Sequence, residues 1–178
     1  MKFNQLILEK LAVIFQKYHL HYLEQRDNYL KLASDDLEII ITHNQFENSN
    51  TLWLGRNNET TSKVEIDNDT LKLFFKSDLK LSQVSLETFI SNLVLFFENE
   101  AKPLLMGDLN RINELEKFDL KRSQNYTDNL LERQNLEVAS KAWEIKDYKT
   151  FIGSIDKIDI DKVPESFQLK YKIAKQKL

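Results

Sequence analysis

Between residues 3 and 18 the apolar positions Phe3, Leu6, Ile7, Leu11, Ile14, Phe15 and Tyr18 recur at intervals that gather them on one side of a helix. Beyond that stretch the period shortens to that of strands. In NYLKLASDDLEIIITHN, residues 28–44, two runs rich in strand formers flank the turn-forming Ser34, Asp35 and Asp36, which predicts a β-hairpin. TLWLG, residues 51–55, reads as a further strand, closed by Gly55 and the polar tract 56–62. VEID and TLKLFF straddle Asn68 and Asp69, residues that tolerate the positive φ of a tight turn, and predict a second hairpin. In its second arm Leu71, Leu73 and Phe75 would share one apolar face. The expectation is an antiparallel sheet of four or five short strands.

The helical period returns at residue 85. Ser85 is placed to cap a helix whose stripe is Leu86, Phe89, Ile90, Leu93, Val94, Phe96 and Phe97. Pro103 is expected to end or bend it, with Gly107 as the C-terminal cap. This helix and the first would cover one face of the sheet. Leu109, Ile112, Leu115 and Phe118 mark a short helix, and Thr127 is a candidate cap for a separate one running through Trp143. The polar interval 119–128 between them is the expected point of division. KDYKTFIGSIDKI predicts a shorter helix, and Pro164 suits the first turn of a last one. Lys170, Lys172, Lys175 and Lys177 near its end complement the helix dipole and need no ligand. The fold class expected is α+β: an α+β domain over 1–107, and a C-terminal helical hairpin region over 108–178 packed on it. A single tetratricopeptide-like hairpin around Trp143 has no second copy at a fixed period.

Composition narrows the classes. The chain has 178 residues, 42% hydrophobic and 30% charged, with eleven Phe but three Gly and two Pro, a balance that favours a packed core over a disordered chain. No Cys is present, which removes disulfides, thiolate metal sites and cysteine nucleophiles. Polar residues interrupt the N-terminal apolar stretch, and the longest apolar runs are five residues against the ~20 of a membrane span. A cytoplasmic protein with no membrane association is expected. The net charge of −3 is uneven: residues 1–120 carry an acidic excess of six, and the remainder a basic excess of three. Neither half has the basic footprint of a nucleic-acid binder.

Candidate chemistry is sparse. His19 and His21 would share a strand face, but no HExxH or spaced carboxylate set accompanies them, so no metal site is assigned. No G-x-S-x-G or glycine-rich phosphate loop occurs. The acidic pairs Asp35 with Asp36, Asp67 with Asp69, Glu98 with Glu100, and Glu114 with Glu116 fall in polar contexts that do not raise a carboxyl pKa. No catalytic residue and no cofactor is therefore assigned, and a non-enzymatic role is expected. Phe74 with Phe75, and Phe96 with Phe97, read as core pairs with one partly exposed member each. The hydrophilic stretch 55–69 stands out: Glu59, Glu65, Asp67 and Asp69 on loops joining short strands are the candidate partner-binding residues.

LWLG (residues 52–55), LVLFFENEAKPLLMGD (93–108) and KAWEIKDY with VPESFQLKYKIAKQKL (141–148 and 163–178) give the chain a likeness to a known family. It resembles the immunity proteins of bacterial polymorphic-toxin and contact-dependent inhibition systems. The resemblance implies a small cytosolic protein that binds and occludes one toxin domain, encoded nearby, without turnover. A secretion-type chaperone or a helical adaptor for an effector protein is the alternative.

Overall fold

The structure is a computed structural model and describes residues 3–57 and 63–178. The first helix, α1 (Phe3–Lys17), buries Phe3, Ile7, Leu11, Ile14 and Phe15, the stripe its spacing requires. It ends through a left-handed residue, His19 (φ 53°). There the amide of Leu20 donates to the carbonyl of Phe15 at 2.9 Å, and that of His19 to Gln16 at 3.2 Å. This satisfies carbonyls that a helix end otherwise leaves unpaired. His19 thus has a backbone role.

Five strands follow in the order β1 (His21–Arg26), β2 (Tyr29–Ala33), β3 (Leu37–Asn44), β4 (Ser49–Arg56) and β5 (Val64–Glu65), each antiparallel to its neighbour. The register places Leu32, Ile39, Leu54 and Val64 in one row, and Leu30, Ile41 and Leu52 in the next. All seven are buried and form the inner face. The shift of one residue that period-two geometry allows would put this whole set in water, so the apolar pattern fixes the register. At the β3–β4 end His43 stacks on Phe3 of α1 and hydrogen-bonds Asn50 at 2.9 Å, while Asn50 donates to the carbonyl of Val84.

The hairpin expected across Asn68 and Asp69 does not form. After β5 the chain turns into a short helix, α2 (Asn68–Thr70), which runs on into a π-helical turn (Leu71–Phe75). Asp67 caps it, its carboxylate accepting from the amide of Thr70 at 2.7 Å. Asn68 is held by the next segment, its side-chain oxygen accepting from the amides of Leu81 and Ser82 at 2.9 and 3.0 Å. Leu71 and Phe75 are buried while Leu73 is 53% exposed, a spacing of four and not of two. The strand count of four or five holds, but its membership changes: β1 is a strand and residues 70–75 are not.

Ser85 caps α3 (Leu86–Glu98), which ends before Pro103. Pro103 sits in the first turn of α4 (Lys102–Leu105), and Gly107 (φ 77°) closes that turn as the expected cap. A Cβ on Gly107 would lie 2.9 Å from the Asp36 carboxylate, a second reason for glycine there. Next, α5 (Leu109–Glu144) runs unbroken for 36 residues, so the polar residues 119–128 are helix and not a break between two helices, although the boundary between the two compact units falls at their start, after Asp119. Thr127 does not cap; its hydroxyl donates to the Ser123 carbonyl one turn back, at 3.0 Å. No Gly or Pro stands between Gly107 and Gly153, so nothing local breaks the helix. The chain ends in α6 (Tyr148–Ile155) and α7 (Glu165–Lys175), with Pro164 at the N-cap of the latter.

Two compact units result, Met1–Asp119 and Leu120–Leu178. In the first, the core joins the inner sheet face to α1, α3, α4 and, through Ile112 and Leu115, the start of α5. Phe96 and Phe97 are both fully buried in it. In the second, Ala139, Ala142, Phe151, Ile155, Ile158, Val163 and Ala174 form a separate core, with Trp143 packed at its margin against Tyr148 and Phe151.

Candidate partner-binding surface

The acidic residues singled out in the sequence separate into different roles. Glu59 lies outside the described residues. Asp67 is the helix cap. Glu65 is in β5, directly opposite Trp53 of β4, and is partly exposed. Asp69, on α2, is exposed. Glu65 and Asp69 therefore belong to one corner of the first unit, with Asp67 between them, and no basic residue intervenes from Lys63 to Lys72.

Glu65 also belongs to a larger surface that period-two reasoning did not single out. The residues alternating with the inner face form the outer one: a middle row of Lys31, Ile40, Trp53 and Glu65, beside a row of Tyr29, Thr42 and Thr51. All seven are partly exposed, whereas the inner rows are buried. Tyr29, Ile40 and Trp53 stand outside the core cluster. Polar residues are the usual choice on the solvated face of an antiparallel sheet, and the centre of this one is aliphatic and aromatic. The Trp53 indole donates to the Thr51 hydroxyl at 3.2 Å, and the hydroxyls of Thr42 and Thr51 are 2.6 Å apart. The ring is thus oriented by its own strand. Burial pushes the Tyr29 phenol above its ordinary value, with Glu24 and Glu38 acting in the same direction.

Charges on this face are tied to one another. Glu38, 7% exposed, takes Lys31 on one carboxylate oxygen at 3.0 Å and Lys63 on the other at 3.5 Å. Both ammonium groups thus pair a carboxylate that is almost fully out of water. Gly55, opposite Glu38 in register, makes this possible, since a Cβ there would be 2.7 Å from Cδ of Lys63. On β1, Glu24 pairs with Arg26.

A cleft of about 310 Å³ lies where the end of α1 meets the β2–β3 turn and the end of α4, lined by Lys17, His19, His21, Asp35, Asp36 and Gly107 among others. Its charges are of both signs. Among the described residues no group of three or more His, Cys, Asp or Glu is placed to hold a metal ion. No helix among them is long and apolar enough to cross a membrane. No family model, curated protein or solved structure matches this chain.

Proposed function

We propose that the chain is an immunity protein, which neutralises a toxin domain encoded beside its own gene by stoichiometric binding and occlusion. The observation that carries the reading is the acidic corner of the first unit, Glu65 and Asp69 flanking the Asp67 cap, on a unit whose acidic excess is six. Toxin domains that act on nucleic acids are basic, and an acidic inhibitor both associates with them quickly and repels their substrate. The residue-level resemblance supports the same reading. Coexpression of chain and toxin is the test: growth is restored and the two co-purify at a fixed ratio. Growth arrest in the presence of well-expressed, folded chain contradicts the proposal.

A further inference from the structure

We propose that the chain self-associates through β1, the free edge of the sheet, which pairs antiparallel with β1 of a second copy about a two-fold axis at Gln25. The inference is independent of the toxin reading.

Backbone accounting picks out this edge. β1 has β2 on one side and no strand on the other. The β2–β3 ladder fixes which of its groups are free. The amide of His43 donates to the carbonyl of Asn28, which brackets the Tyr29–Thr42 pair, so the main-chain groups of Tyr29 turn the other way, to Arg26. Alternation then turns those of Lys31 to Glu24 and those of Leu30 to β3. Gln25, opposite Leu30, therefore points its amide and carbonyl away from the sheet. It is exposed, and among the described residues no hydrogen bond from outside the sheet reaches its main chain. The contacts of α1 with β1, at the Tyr22 ring and the Arg26 carbonyl, lie to either side of it. The edge is thinly guarded. It has no Lys and no Pro, its slip of register at Leu23 lies outside Glu24–Arg26, and Tyr22 and Leu23 are 46% and 52% exposed.

The occupant follows from what such an edge can bond. Outward amides and carbonyls in a strand are met by another extended chain. Around Gln25 the sequence Glu-Gln-Arg is complementary to itself when reversed. A two-fold axis there lets the two Gln25 residues exchange amide-to-carbonyl bonds, and it sets Glu24 opposite Arg26 of the second copy twice over. Within one chain Glu24 and Arg26 already pair. The edge thus brings no net charge to the contact, and the four groups alternate in sign across it.

The chain has no Cys, so introduced thiols report the pairing. Glu24 and Arg26 of the second copy would form a non-hydrogen-bonded pair with Cα atoms about 4.5 Å apart, within reach of a disulfide. Purified Glu24→Cys and Arg26→Cys chains are oxidised separately, mixed with each other, and each mixed with Val13→Cys, a control position that is 77% exposed. Wild type and Gln25→Pro are compared by sedimentation equilibrium at rising concentration. Proline at 25 removes an amide that β2 does not use, so the ladder stands. The expected result is a disulfide dimer of one Glu24→Cys and one Arg26→Cys chain, at least about tenfold more abundant than in any other sample. Wild-type mass climbs towards the dimer, while Gln25→Pro stays monomeric with the wild-type melting temperature. A wild type that is monomeric at every concentration, a Gln25→Pro chain that associates as wild type does, or disulfides formed equally in all samples overturns the proposal. If Gln25→Pro melts early, the wild-type masses and the thiol mixtures decide by the same outcomes.

Discussion

Glu38 illustrates how one residue holds the open face of the sheet together. A carboxylate taken this far out of water has to be paired, and Lys31 and Lys63 pair it. Glu38→Gln would leave two ammonium groups facing a neutral amide and lower stability by about 1–3 kcal/mol in denaturant melts. The hydrogen bond from Lys31 to Glu38 is the main cause that raises the lysine pKa above its ordinary 10.5. The folded state thus holds that proton more tightly than the unfolded chain. The stabilisation is therefore complete below about pH 10.5 and is lost as pH climbs through the higher folded value. The gap in melting temperature between wild type and Lys31→Met should hold steady to that point and close above it; a gap that widens with alkalinity contradicts the pairing. At the acidic corner, Asp67→Ala should cost about 1 kcal/mol as a lost cap. Asp69→Lys should stay within about 0.5 kcal/mol. Thermal melts of the two separate structure from surface, and charge-reversal tests of binding at this corner should leave Asp67 in place.

At the scale of elements, α5 is the feature that most departs from the sequence reading. Residues 123–131 contain no buried side chain, although Leu130 and Leu131 are among them. A helix segment without packing depends on its own hydrogen bonds and opens easily. Amide exchange should be faster at 123–131 than in the packed turns around Ile112 and Ala139, and limited proteolysis should cut there before it cuts within α3. Early cleavage of α3 would contradict the assigned cores. Trp143 lies at the edge of the second core, with Lys170 Nζ 5.5 Å from its ring. Trp143→Ala should therefore cost about 2–3 kcal/mol, less than a fully buried ring would. Much of this architecture was legible in the chain. The stripes of α1 and α3, the Ser85 cap, the β2–β3 hairpin and the Gly107 stop all follow from local spacing and residue type. The left-handed helix ends at His19 and at Lys146 (φ 61°) were not, because neither position carries the glycine that flags the device at Gly107. Residues 70–75 misled for a different reason: Leu71 and Phe75 fit a period of two and a period of four alike, and the deciding contacts, from Asn68 to Leu81 and Ser82, are tertiary. The outer face was illegible because it depends on which strands are neighbours. Ile40 and Trp53 become one surface only through the β3–β4 register.

For the whole molecule, the proposed role in binding a toxin draws on the acidic excess of the first unit. Charge steering acts on encounter, so reversing Glu65 and Asp69 to Lys should slow association with a basic toxin while changing dissociation little. The difference should shrink as salt is raised. The most direct measurement of the central claim is a titration of toxin activity with purified chain. Occlusion by binding predicts a linear fall to zero at a fixed molar ratio, with an equivalence point that does not move with incubation time. Inactivation of excess toxin by substoichiometric chain, progressing with time, would contradict it.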